Sequence, residues 1–439
     1  MKVYLNKNVY EAARERIEYA FKNFDNVLVS FSGGKDSGVC LNLCYDYAKE
    51  TGQLDKLAFY HLDYEAQYQM TTDYVEDTFK GFEGIKRRYW LCLPILAQCS
   101  CRMDGAYWTP WNKSERAIWV REMPKNDFVI NEENAPYPIR KNIIDKEGMD
   151  DFTRWFQGKY GSTAVIVGIR ASESYSRRQL ITNTTNDWLP NAQNFGLRLR
   201  RDGIELGSIC FFYPIYDWGT EDIWIYNARF QKAYNKIYDL YYKAGLTVDK
   251  MRVASPFNNS ASATLKLYKV IDPKNWGRMV GRVNGVNFAG LYGGTTAMGW
   301  KYISLPKGHT WKSYCYFLLS TLPPKLRSHY ERILATSIEY WCEKGGFVAE
   351  ELMPEIEALK SDIEYADKGN APRFESQKIL KFAKYPDDVP VKHFSKFPSY
   401  KRMCVCIIKN DYYCIYMGFG RTKEAIEKRK NILEKYKNL

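Results

Sequence analysis

The chain has no run of 18 consecutive apolar residues, which argues against a membrane-spanning helix. Its first 21 residues, Met1 to Phe21, hold no apolar core followed by small residues, so no secretory leader is expected. None of the 11 cysteines forms a Cys-x-x-Cys pair, which leaves iron–sulfur and zinc-ribbon sites without support. Internal repeats and low-complexity segments are lacking too. Together these absences predict a cytoplasmic, reduced protein with no membrane partner and no structural disulfides.

What is present is a globular composition. Of the 439 residues, 45% are hydrophobic and 26% charged, enough for two or three domains with real cores. The 64 Lys and Arg exceed the 51 Asp and Glu, so the net charge is +13 and the surface field favours polyanions. With 12 Trp, 35 Tyr and 22 Phe, the chain also has rings on which bases could stack. Both a basic nucleotide enzyme and a protein that contacts nucleic acid fit this balance.

One stretch organises the rest. Val27-Leu28-Val29-Ser30-Phe31 is a short apolar run suited to a buried parallel strand. After Ser32-Gly33-Gly34-Lys35-Asp36-Ser37, apolar residues at Val39, Leu43 and Tyr47 have helical spacing. A strand thus enters a helix through a turn fitted for an anion. Gly33 and Gly34 let backbone N–H groups converge. The helix start adds unpaired donors and about half a positive charge. Lys35 contributes a full charge, and Ser32 and Ser37 contribute hydroxyls. The P-loop of kinases and GTPases is excluded, because its first glycine would fall at Val29.

Two further motifs follow. The first is Val165-Ile166-Val167-Gly168-Ile169-Arg170-Ala171-Ser172-Glu173-Ser174, with Arg177 and Arg178 beyond it. Here Arg170, Arg177 and Arg178 can clamp a phosphate or sulfate, and Glu173 can hold Arg170 through an ion pair. The second is Pro214-Ile215-Tyr216-Asp217-Trp218 with Asp222-Ile223-Trp224. In this order, the three motifs resemble those of the adenine-nucleotide α-hydrolase (PP-loop) superfamily and its phosphoadenosine phosphosulfate (PAPS) reductases. The resemblance covers roughly residues 20–230, about half the chain. It implies a doubly wound, mostly parallel α/β sheet of HUP-like type. It also implies a bound adenine nucleotide, ATP above all, with Mg²⁺ accompanying a triphosphate.

The resemblance places the nucleotide on Ser30, Phe31, Ser32, Gly33, Gly34, Lys35, Asp36 and Ser37, and on Gly168, Arg170, Glu173, Arg177 and Arg178, with Lys35 and Asp36 in the chemistry. Asp63 ends a second strand, Lys56 to Asp63, where an acid can accept from a ribose hydroxyl or an amino group. The related reductases carry Asp-Thr-Gly there. This chain has Asp63-Tyr64-Glu65, so only the aspartate carries over.

Between 99 and 148 the chain looks like an insertion, crowded with Trp and Pro and with little clear periodicity, the kind of long loop that serves as a lid or a binding element. Cys99 and Cys101 at its start read as inert buried thiols, as a reactive pair, or as half a metal site. No metal cluster is legible. Asn8 with Glu11 predicts a helix N-cap. Further strands are expected at Ile85–Leu93, Thr163–Ile169 and Ser208–Tyr213, and a helix at Asp151–Tyr160. Long helices are expected over Ile223–Gly245 and Trp311–Cys342, with loops at Gly281–Gly299. Met403–Tyr416 reads as a β-hairpin, followed by a basic helix to Leu439. The expected domains are 1–230 (nucleotide-binding α/β), 231–370 (helical) and 371–439 (a small α+β appendage).

The longer pattern resembles IbrA-like co-activators of prophage gene expression, and so implies an IbrB-like (ParB/sulfiredoxin-like) partner. The reductases' C-terminal Glu-Cys-Gly-like tail has no counterpart in Lys435-Tyr436-Lys437-Asn438-Leu439. Three functions are therefore expected in order: ATP cleavage between the α- and β-phosphates to adenylate an acceptor; sulfonucleotide reduction through Cys99 or Cys101; or a nucleotide-gated regulatory or phage-defence role on nucleic acid or a protein partner.

Overall fold

The computed structural model describes residues 6–102, 105–201, 204–258, 261–292, 303–349, 354, 363–366, 377–389, 397–409 and 411–419. The chain divides into two compact units, Met1–Cys101 with Tyr107–Gly290, and Arg102–Ala106 with Leu291–Leu439.

The first unit is built on a seven-stranded sheet. Its strands are β1 (Asn26–Ser30), β2 (Leu57–Leu62), β3 (Arg87–Cys92), β6 (Val129–Asn131), β7 (Thr163–Ile166), β8 (Gly196–Arg201) and β9 (Ile204–Phe212). A separate two-stranded ribbon joins β4 (Ala97–Gln98) to β5 (Tyr107–Trp108). The sheet order is β6-β3-β2-β1-β7-β9-β8, and every pairing is parallel except β8 with β9.

The chain winds outward from β1 through β2 and β3, then returns to β1's other side with β7. The order therefore reverses between β1 and β7, and at such a point the loops after two neighbouring strands part to leave a crevice. Alternation along β1 sends Val27 and Val29 to one face and Leu28 to the other. The first face is covered by α1 (Val9–Asn23), α2 (Lys35–Glu50), α3 (Gln69–Gly81) and α6 (Thr220–Arg229). The second is covered by α4 (Asp145–Tyr160) through Phe152 and Phe156. A strand buried on both sides needs the continuous apolar run that β1 has.

The capping box expected at α1 is present. The Asn8 side chain accepts from the Glu11 N–H at 2.9 Å, and the Glu11 carboxylate accepts from the Asn8 N–H at 3.3 Å. Several expectations are corrected. The 99–148 segment, expected as a long loop, supplies edge strand β6, paired with β3, and a 3₁₀ turn over Lys113–Ile118. Strand β7 stops at Ile166, and α4 begins at Asp145. Residues 223–245 form two helices, α6 and α7 (Ile237–Lys243), and short helices α8 (Ser262–Leu265) and α9 (Tyr268–Ile271) follow. Helices α10 (Pro273–Arg282) and α11 (Val286–Tyr292) occupy part of the glycine-rich stretch expected to be loop. Asp272 caps α10, and Pro273 suits its first turn.

In the second unit, α12 (Trp311–Ser320) and α13 (Pro324–Ile338) are separate helices, broken where Pro323 and Pro324 cannot continue the first. An antiparallel sheet β10-β12-β11 joins Gly346–Ala349, Gln377–Phe382 and Ile363–Ala366. The expected hairpin at 403–416 is instead α14 (Tyr400–Ile408), capped by Ser399, followed by a turn. Met403, Cys404 and Cys406 are buried in a cluster with Cys315 and Leu319 of α12 and Tyr330 of α13. Packing on one helical face overrides the strand propensity of Val405-Cys406-Ile407-Ile408. The expected basic helix beyond Phe419 lies outside the described residues. No described helix is long and apolar enough to cross a membrane.

Candidate functional site

β1 ends at Ser30 and α2 begins at Lys35, so the turn Ser32-Gly33-Gly34 opens at the sheet's point of reversal. Gly33 has φ +76°, and a Cβ there would stand 3.0 Å from Val75 Cγ2 of α3, so glycine is needed for conformation and for space. Inside the turn the Ser32 N–H donates to the Ser37 hydroxyl at 3.1 Å. The Ser37 hydroxyl donates to the Gly34 carbonyl at 3.1 Å, and the two serine hydroxyls lie 2.9 Å apart. Ser37 therefore shapes the loop, while Ser32 is exposed. Phe31 is a core residue, 1% exposed, packed against Phe59, His61 and Tyr74. Ser30 ends the strand opposite Tyr60.

The second motif meets this loop from β7. A Cβ on Gly168 would lie 2.9 Å from the Asp36 carbonyl carbon and 3.0 Å from the Ser37 nitrogen, so only glycine lets the two chain segments touch. Arg170 then reaches Asp36, Nε to Oδ1 at 2.6 Å, while Lys35 Nζ sits 3.0 Å from the other carboxylate oxygen. Glu173 pairs with Arg177 one turn on, and with Arg252 at 3.7 Å, rather than with Arg170 as expected. Arg178 is exposed on α5 (Tyr175–Thr182).

The third motif orients Arg170. Its Nη1 donates to Thr220 Oγ1 at 3.0 Å and to Ser172 Oγ at 3.3 Å. Thr220 opens α6, which Asp222 caps through the Gly219 N–H at 2.7 Å. Asp217 anchors the same corner to Arg16 of α1 at 2.7 Å, and Trp218 Nε1 donates to the Val9 carbonyl at 3.0 Å.

Burial is the main force lowering the Lys35 pKa; Asp36 opposes it, and Arg170 and Arg252 add to the fall. Burial likewise disfavours the charge of Arg177, with Arg252 next. The site thus holds several cations close together with limited solvent, a setting that an anion would relieve.

One donor of the loop is taken by the protein. The Tyr238 hydroxyl of α7 accepts from the Lys35 N–H at 3.0 Å, and its ring lies 5.5 Å below Lys35 Nζ. Asn235 fixes this segment by donating to the Gly33 carbonyl at 3.1 Å and to Thr71 Oγ1 at 2.9 Å. Neither contact is legible locally, since 203 residues separate Tyr238 from Lys35 and 202 separate Asn235 from Gly33. The same holds for Arg252, 79 residues beyond Glu173 and in a connecting segment, where a polar side chain is the cue available.

Asp63 stands apart from the ion pairs around the Ser32–Ser37 turn. It is fully buried; Trp90 Nε1 donates to it at 2.7 Å, the Glu65 N–H at 2.8 Å, and Arg121 forms an ion pair with it. Burial works against its charge, but Arg121, His61 and the Trp90 N–H outweigh it and hold the carboxyl below the usual range. Glu65, at φ +67° and also fully buried, takes Arg282 at 2.8 Å and the N–H groups of Trp111 and Val120 at 2.8 and 2.9 Å. These two carboxylates fasten the 99–148 segment and α10 to the end of β2.

Cys99 and Cys101 are 3% and 7% exposed. The hydrogen bond to Cys99 and then burial push the Cys101 thiol up, the opposite of what an attacking thiolate needs. Among the described residues no group of three or more His, Cys, Asp or Glu is placed to hold a metal ion, and Asp36 is engaged by Lys35 and Arg170.

Two family profiles match successive parts of the chain. A profile of the phosphoadenosine phosphosulfate reductase domain matches residues 26–244, and one of a domain of unknown function, DUF3440, matches 245–428. The uncharacterized protein YbdN of Escherichia coli K12 is 30% identical over 433 residues, covering 98% of this chain and 95% of that protein. Among solved structures, a PAPS reductase from Candida auris in complex with phosphate is 13% identical with a TM-score of 0.31, covering 58% of this chain and 97% of that one. An FMN adenylyltransferase from Candida glabrata is 12% identical with a TM-score of 0.32, covering 52% of this chain and 57% of that one. The chain belongs to the YbdN family and carries a phosphoadenosine phosphosulfate reductase domain followed by DUF3440.

Proposed function

We propose that the first unit binds an adenine nucleotide, ATP foremost, with its phosphates on the Ser32–Ser37 turn, and cleaves it between the α- and β-phosphates to adenylate an acceptor. The observation that carries this reading is the close approach of Gly168 to Asp36, which brings Lys35 and Arg170 onto the two oxygens of one carboxylate at the start of α2. In the reaction, a nucleophilic atom of the acceptor attacks the α-phosphorus. The bond to the bridging oxygen breaks, and pyrophosphate leaves with the electron pair. Lys35, the loop N–H groups and Arg170 neutralise the charge that develops. Asp36 holds the two cations in place. Lys35→Ala should lower turnover by about two to three orders of magnitude, as loss of one such donor does elsewhere, and should weaken ATP binding measured by calorimetry. Unchanged binding and turnover would remove the reading.

Sulfonucleotide reduction is the weaker proposal, because both candidate cysteines are buried and Cys101 is held protonated. A nucleotide-gated regulatory role has one observation in its favour: Tyr238 already caps the loop donor that a phosphate would use. In that role an IbrB-like protein or a nucleic acid would read the change at α7. ATP binding without any product, together with a partner whose affinity depends on ATP, would single it out.

A further inference from the structure

The segment matched by DUF3440 begins at 245, yet residues up to Gly290 pack in the same unit as the nucleotide loop. Two of its residues reach the candidate site. A Cβ built on Gly34 would stand 3.8 Å from Val253 Cβ, so Val253 lies against the turn. Next to it, Arg252 donates through Nη2 to the Glu173 carbonyl at 3.0 Å, with Nη1 3.7 Å from the Glu173 carboxylate.

The ion pairs here form two short chains, Lys35–Asp36–Arg170 and Arg177–Glu173–Arg252. They join where the Glu173 N–H donates to the Arg170 carbonyl at 3.2 Å. Four cations face two carboxylates, so 4 − 2 leaves a surplus of two positive charges. The side chains of Lys35 and Arg170 are 5% and 3% exposed, and those of Arg177 and Arg252 are 37% and 29% exposed. Water therefore reaches the outer pair and hardly the inner one. Charges removed from water call for counter-charge. The loop, Lys35 and Arg170 suit one phosphoryl group, and the outer pair suits another.

We propose that Arg252, with Arg177, binds a second phosphoryl group of the nucleotide, so that the start of DUF3440 is a working part of the nucleotide site. This rests on the nucleotide reading above. Two sources of that group share the chemistry: the outer phosphates of a triphosphate, or a 3′-phosphate on the ribose.

The test is calorimetric titration of the full chain with ATP, AMP and adenosine 3′,5′-bisphosphate. Arg252→Gln should weaken ATP or the bisphosphate about tenfold or more, the scale of one charge-assisted contact, and leave AMP within about twofold. Selective loss of ATP assigns the outer phosphates; selective loss of the bisphosphate assigns the 3′-phosphate. Arg252→Lys, which keeps the charge, should recover part of the lost affinity. A residue that only braces Glu173 would weaken all three ligands alike, and that result, or no change in any, overturns the inference. Lys35→Ala run in parallel reports on the loop. If it leaves all three bound as tightly as wild type, the loop reading fails and this inference falls with it. If it abolishes binding while Arg252→Gln treats the ligands alike, only the inference falls.

Discussion

Asp36 and Arg170 are 134 residues apart in the chain and 2.6 Å apart in space. That contact joins the first turn of α2 to the loop after β7, across the point where the sheet order reverses. Arg170→Gln should leave Asp36 paired with Lys35 alone and destabilise the first unit by about 1–3 kcal/mol, the range for a buried polar partner lost. Nucleotide affinity should fall further than stability alone explains. Chemical denaturation and calorimetry on the same variant separate the two effects.

Tyr238→Phe should move stability and affinity in opposite directions. Removing the hydroxyl leaves the buried Lys35 N–H without its 3.0 Å partner, at a cost of about 1–3 kcal/mol to the free protein. A phosphate would then meet an open donor, and affinity should rise by about two- to tenfold. Melting temperature with and without ATP reads both changes.

Gly168→Ala tests the close approach itself. The added carbon would stand 2.9 Å from backbone, which cannot swing aside as a flexible side chain can. The expected outcome is a loss of about 1–3 kcal/mol, with nucleotide binding lost as β7 and α2 separate. Calorimetry on the folded fraction checks it.

His61 gives a pH signature. It is 1% exposed, its Nδ1 lies 3.0 Å from the Phe31 carbonyl, and its Nε2 has no partner. Burial lowers its pKa, so the folded protein resists the proton that the unfolded chain takes up near pH 6.5. Stability from the neutral ring is complete above that pH. It declines as pH falls through 6.5 toward the depressed folded value, by up to about 1.4 kcal/mol per pH unit. Asp63 adds no slope there, because its lowered pKa contributes only below the usual carboxylate range. His61→Gln should flatten the decline, as denaturation midpoints between pH 7 and 5 would show.

The parts of this molecule legible in the sequence are those with short-range patterns. The apolar run of β1, the Ser-Gly turn and the Asn8–Glu11 cap each follow from local chemistry, and each is where its residues put it. The Gly168 and Arg170 motif was readable in the same way, although its salt bridge to Asp36 was not, since nothing local links positions 36 and 170. Sequence reasoning went astray where long-range packing decides. Val405-Cys406-Ile407-Ile408 has strand character but lies in α14, because Cys404 and Cys406 are buried with α12. The contacts that Arg121 and Trp90 make to Asp63 come from elsewhere in the chain, and nothing local announces them. Tyr238 stands in α7 and Arg252 in a connecting segment, both far along the chain from the loop, so only the fold brings them there.

The most direct test is a crystal structure of the full chain with a non-hydrolysable ATP analogue. The account predicts phosphates seated on the N–H groups of the Ser32–Ser37 turn, with Tyr238 displaced from Lys35 and Arg170 turned toward the ligand. An analogue bound elsewhere, with the contact between Lys35 and Tyr238 intact, would contradict it.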